Sequence, residues 1–108
     1  MQDLPEKEIQ SLLNQIALGD DQAVSRIYLH YQRSLYAFIR LRVADDNDAE
    51  EILHDTFMVM CKKPLSFNSG SKFSTWLYAI AKNKTLDWWR RKGRMSEMVD
   101  RVNSRRRD

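Results

Sequence analysis

The chain has 108 residues, with three Gly, two Pro, one Cys and a formal net charge of +3. That length supports one small domain with a modest core, and the scarcity of Gly and Pro favours helices throughout. The lone Cys61 excludes an internal disulfide, and His30 and His54 stand apart from it, so no metal-ligand cluster is expected. No apolar run approaches the roughly 18 to 20 residues of a membrane span, and residues 1–20 are polar rather than signal-like. The expected location is therefore cytoplasmic.

The first helix is expected from about Leu4 to Leu18, with Asp3 as its cap, Pro5 in the first turn and Gly19 as its stop. Ile9, Leu12, Leu13 and Ile16 form its apolar stripe. A second, longer helix follows Asp20 and Asp21 and runs to about Val43. Val24, Ile27, Tyr28, Tyr31, Leu35, Phe38 and Ile39 recur along it at helical spacing.

Asp45, Asp46 and Asn47 interrupt the pattern, and Asn47 with Glu50 reads as a capping box for a third helix, Asp48 to about Lys62. Pro64 ends it, because the residue before a proline avoids helical angles. Ala49, Ile52, Leu53, Thr56, Phe57 and Met60 face inward. The opposite side carries Asp48, Glu51 and Asp55, with His54, Met58 and Val59 beside them. Acids in a first turn favour the helix dipole, but apolar side chains interleaved with carboxylates resemble a docking surface.

Residues 63–72, KPLSFNSGSK, have loop composition. Leu65 and Phe67 are expected to anchor this loop, while Asn68, Ser69, Gly70 and Ser71 expose hydrogen-bonding groups; Ser71 also suits the cap of the next helix. That fourth helix, Phe73 to Lys92, combines rings, amides, hydroxyls and a cationic end. Phe73, Trp76, Leu77, Ile80 and Ala81 have core spacing, which leaves Tyr78, Trp88 and Trp89 with Lys82, Asn83, Lys84, Arg90, Arg91 and Lys92 for the surface. Aromatic faces stack on unpaired bases at about 1–3 kcal/mol each while cations follow the backbone. The charge distribution agrees. Residues 1–55 hold five Lys or Arg against eleven Asp or Glu, a balance of −6, and residues 56–108 hold thirteen against four, a balance of +9. A basic half of that size is an electrostatic footprint for nucleic acid. The tail from Gly93 has little apolar periodicity, so residues 1–94 are expected to be the domain and 95–108 a basic flexible tail or linker.

The strings DAEEILHDTFMVMCKK and SFNSGSKFSTWLYAIAKNKTLDWWRRKGR resemble region 2 of the bacterial sigma factors, in particular the extracytoplasmic-function group. The resemblance covers about Ser11 to Arg94 and is carried by Asp48-Ala49-Glu50-Glu51, Asp55-Thr56-Phe57, Phe73, Thr75-Trp76-Leu77-Tyr78, Ile80-Ala81, Asn83, Leu86-Asp87 and Arg90-Arg91. It implies an all-α fold, a compact bundle of about four helices with a recognition loop between helices 3 and 4. It implies docking on the clamp helices of the largest subunit of core RNA polymerase through Asp48, Glu51, His54, Asp55 and Met58. It places Phe67, Asn68, Ser69, Ser71, Lys72, Phe73, Trp76, Tyr78 and Asn83 near a flipped base of the non-template single strand of promoter DNA. Lys82, Lys84, Arg90, Arg91 and Lys92 would meet phosphates. An anti-sigma factor is the further partner it implies, and no cofactor is expected.

Two positions depart from the family pattern: His54 stands where Gln is common, and Ala79 where Arg is frequent. The family's second domain, which reads the minus-thirty-five element, has no counterpart in this stretch. A helix-turn-helix regulator is the main alternative, but the connection between helices 3 and 4, about ten residues, exceeds the three or four of that motif. A helical protein-interaction module, using the Trp88 to Lys92 cluster on a partner or an anionic membrane surface, is the other. No nucleophile with an evident base, glycine-rich phosphate loop or metal set points to an enzyme.

Overall fold

A computed structural model describes residues 2–67 and 70–91, and among these residues there are four α-helices and no strand. They are α1 (Glu6–Ala17), α2 (Asp21–Arg40), α3 (Asp46–Lys62) and α4 (Phe73–Arg91), with a 3₁₀ turn at Pro64–Ser66. The expected tail, the boundary near residue 94 and the candidate contacts Asn68, Ser69 and Lys92 lie outside the described residues.

α1 buries Ile9, Leu12, Leu13 and Ile16, the stripe expected from its spacing. Its N-cap is Pro5, with no side-chain cap; Asp3 is used elsewhere, which corrects the sequence expectation. Gly19 follows the helix at φ +91°, a left-handed conformation that a side chain would strain. α2 begins behind Asp20, whose carboxylate accepts from the Gln22 N–H at 2.9 Å. It buries Ala23, Ile27, Tyr31, Leu35 and Ile39. Tyr28, expected inside, is 36% exposed and lies edge-to-face on Phe57.

Arg40 closes the α2–α3 turn. Its guanidinium donates to the carbonyls of Val43 and Ala44 and pairs with Asp46 at 3.0 Å. The cap of α3 is Asp45, accepting from the Asp48 N–H at 3.0 Å, rather than the expected Asn47. The helix thus gains two residues at its start. It buries Ala49, Ile52, Leu53, Thr56, Phe57 and Met60, the six expected, and packs between α2 and α4. Burying each large aliphatic side chain stabilises the bundle by about 1.5–3 kcal/mol. The buried hydroxyls need no outside partner: Thr56 donates to the Ile52 carbonyl at 2.8 Å and Thr85 to that of Lys82 at 2.7 Å.

α4 buries Phe73, Leu77, Ala81, Thr85 and Trp88. Trp76 and Ile80, expected in the core, are half-buried at its edge, and Trp88, expected at the surface, lies in it at 6% exposure. The burial arc is centred on the 77–81–88 line, so the helix is turned away from the orientation that a 73–76–80 stripe implies. Leu65 is 67% exposed instead of anchoring the loop, whereas Phe67 is buried as expected and Pro64 is buried with it.

Candidate nucleic-acid and docking surfaces

The loop before α4 and the N-terminal segment meet across a cleft. Phe67 and Phe73 line it and lie edge-to-face with centroids 5.5 Å apart; behind them Trp76 is 5.7 Å from Phe67 and Tyr31 is 5.3 Å from Phe73. The cavity, of about 600 Å³, is also lined by Gln2, Asp3 and Leu4 of the N-terminal segment and by Gly70, Ser71 and Lys72 of the loop. Such a volume admits a small flat ligand, and the base of the cavity is apolar. Phe67 and Phe73 were expected beside a captured base. They line the cleft at 9% and 3% exposure, most of each ring being packed into the core.

Asp3 ties these parts together. One carboxylate oxygen accepts from the Tyr31 hydroxyl at 2.8 Å and from the Ser74 N–H at 3.1 Å, and the other accepts from the Ser74 hydroxyl at 2.7 Å. The Tyr31 oxygen in turn accepts from the Leu4 N–H at 3.0 Å. The cap of α4 therefore comes from the far end of the chain. Burial raises the Asp3 pKa, but the hydrogen bonds from Ser74 and Tyr31 outweigh it and hold the carboxyl below its ordinary value. Burial pushes the Tyr31 phenol well up.

Beyond the cleft, the candidate contacts spread around α4. Trp76, Asn83 and Arg90 are spaced by seven and share one outward stripe, Trp76 half-buried and the others exposed. Lys82 is exposed on one flank of this stripe, towards the side where Tyr78 packs on α2. Tyr78 is half-buried and meets Phe38 edge-to-face, while the Arg42 guanidinium lies 3.7 Å from the centre of the Phe38 ring. Burial raises the Tyr78 phenol, opposed by a hydrogen bond with Ser34. Lys84 lies on the other flank, half-buried. Ser71, Lys72 and Arg91 are exposed, and Arg90 pairs with Asp87 at 3.1 Å with both side chains more than half exposed. An ion pair that open to water is worth at most about 1 kcal/mol and leaves the guanidinium available.

The residues expected to dock occupy the solvent arc of α3. Glu51 and His54 are exposed, Met58 is 40% exposed, and Asp48 and Asp55 are half-buried. Two of them, His54 and Asp55, border separate hollows. His54 and Glu50 border a groove against Tyr28, Gln32 and Tyr36 of α2, whereas Asp55 shares a depression with Lys84, Asp87, Arg90 and Arg91 of α4. Acidic and basic surfaces therefore touch along the α3–α4 seam. Sequence reasoning missed Gln2, Asp3 and Leu4 as cleft walls. No local pattern marks them, because only the return of the chain brings them there.

Residues 27–95 match the family model described as sigma-70 region 2. The extracytoplasmic-function RNA polymerase sigma factor SigW of Bacillus subtilis (strain 168) is 33% identical over 87 residues, 81% of this chain and 46% of that protein. A probable RNA polymerase sigma factor of Haemophilus influenzae is 36% identical over 69 residues, 61% of this chain and 36% of that protein. The chain thus spans less than half the length of these relatives. Among solved structures, an engineered region 2 of sigmaE in complex with GTAAAA, determined by NMR, matches with a TM-score of 0.70 and 27% identity, covering 88% of this chain and 97% of that one.

Proposed function

The chain belongs to the sigma-70 region 2 family, and from that premise we propose that it is a transcription-initiation module that docks on core RNA polymerase and captures unpaired bases of the promoter minus-ten element. Its relatives are extracytoplasmic-function sigma factors, and the similar sigmaE structure carries the hexanucleotide GTAAAA. The observation that carries the proposal is the cleft lined by Phe67 and Phe73 at the start of α4, the helix whose surface carries Trp76, Asn83 and Arg90. One base enters the cleft, Asn83 offers an amide to a base edge, and Lys72, Lys82, Arg90 and Arg91 follow the phosphates. Ser71, with Asn68 and Ser69, is assigned to the loop side of the captured nucleotide. The α3 residues Asp48, Glu51, His54, Asp55 and Met58 face the polymerase clamp helices. An anti-sigma factor covering these same surfaces is the proposed inhibitor, and the cytoplasm is the proposed location.

Energetics set the limits of the role. Opening about ten base-pair steps costs on the order of 14 kcal/mol at about 1.4 kcal/mol per step, whereas stacking one or two bases returns about 1–6 kcal/mol. The domain biases opening by trapping bases as they emerge, and polymerase contacts supply the rest. The isolated chain accordingly binds a matching single strand weakly and duplex DNA nonspecifically. An anisotropy titration at physiological salt tests this, and tight sequence-specific duplex binding contradicts it.

A further inference from the structure

We infer that the N-terminal segment is part of the nucleotide site, and that Asp3 is a positioning residue that fixes the recognition loop and the first turn of α4 for base capture. This rests on the reading of the cleft as a nucleotide site. Three observations carry it. The segment lines the cleft directly, Gln2, Asp3 and Leu4 sharing it with Gly70, Ser71 and Lys72. The Asp3 carboxylate accepts both the backbone N–H and the hydroxyl of Ser74, two residues beyond the end of the loop. The same carboxylate is held in turn by the Tyr31 hydroxyl, which also receives the Leu4 N–H. The hydrogen-bonded chain therefore runs from the N-terminal segment through the buried spine of α2 to the start of α4.

The consequence is geometric. Loop residues of high Ser and Gly content have many conformations to lose on binding, and a base-capture site gains affinity when that ordering is complete beforehand. With Asp3 in place, one end of the loop is anchored by Phe67 in the core and the other by the trans cap on Ser74. Removing the cap frees the second anchor while leaving the exposed cations on α4 untouched. Base selection then falls, whereas phosphate attraction, which depends on charge alone, persists.

The test uses the 108-residue chain and two labelled single strands: the hexamer that the parent enriches from a randomised pool, and hexathymidylate. Asp3→Ala is expected to bind the enriched hexamer about tenfold more weakly than the parent and hexathymidylate within twofold of it. Asp3→Asn, which keeps an acceptor for the Ser74 N–H, is expected to restore most of the discrimination. Tyr31→Phe removes a single oxygen and is expected to give a smaller loss in the same direction, so the inference stays testable should Asp3→Ala unfold. Unchanged discrimination in Asp3→Ala and Tyr31→Phe overturns it, as does an equal loss on both strands or an Asp3→Asn variant as weak as Asp3→Ala. A parent that enriches no hexamer overturns the nucleic-acid reading itself, and this inference with it.

Discussion

Phe38 on α2 and Tyr78 on α4 meet edge-to-face with ring centroids 4.9 Å apart, and this contact commits one side of Tyr78 to the interior of the bundle. Tyr78 thus belongs to the α2–α4 seam as much as to a nucleic-acid surface. An aromatic pair of this kind is worth about 0.5–1.5 kcal/mol beyond area burial. Tyr78→Ala is expected to lower stability by about 2 kcal/mol, and Tyr78→Phe by less than about 1 kcal/mol, since it keeps the ring pair. Urea unfolding of both variants measures the difference. Equal losses place the stabilisation in the hydroxyl instead.

The Asp3 cap makes stability depend on acid pH with a definite sign. Its folded pKa lies below the ordinary value of 3.8, because hydrogen bonds from Ser74 and Tyr31 outweigh the effect of burial. A depressed carboxyl stabilises the fold fully above its unfolded pKa, and the contribution is lost as pH falls through the folded one. Thermal melts of the parent and Asp3→Asn between pH 2 and 6 are expected to diverge above about pH 4 and converge below it. A constant gap across that range contradicts the assignment.

Salt separates the cationic contacts from the rings. Four exposed cations on phosphates, Lys72, Lys82, Arg90 and Arg91, give a slope of log affinity against log salt of about −0.7 each on single strands, or roughly −3 together. Lys82→Gln is expected to reduce the slope by about 0.7. Lys84→Gln is expected to change it less, because Lys84 lies half-buried in the depression that holds Asp55 and Asp87. Anisotropy titrations from 50 to 300 mM salt measure both, and a flat response removes the phosphate contacts.

Helical spacing made the bundle legible to the residue in α1 and α3, where the buried sets coincide with the expected stripes. It was less informative in α4. There Trp88 is as apolar as Trp76, and spacing from Phe73 alone admits two arcs; packing of Ala81 and Thr85 selects the one that buries Trp88. Caps were legible only where they are local. Asp20 was read near its place, Asn47 was displaced by Asp45, and the reach of Asp3 to Ser74, 71 positions away, leaves no trace in either neighbourhood. The candidate surfaces follow the same division. Exposed Asn83, Lys82 and Glu51 were visible as the polar remainder of their helices, whereas the cleft joins loop residues 70–72 to residues 2–4, far apart in sequence.

The central claim is that α3 holds the polymerase while the cleft and α4 hold the bases. Equilibrium binding of core RNA polymerase to Asp55→Arg and to Asn83→Ala tests it most directly. Reversing a charge in a docking surface replaces attraction by repulsion, which costs several kcal/mol where the contact is close. The expected result is a loss of at least about tenfold for Asp55→Arg, with Asn83→Ala within twofold of the parent. Parent-like binding by Asp55→Arg, or an equal loss in Asn83→Ala, contradicts the division.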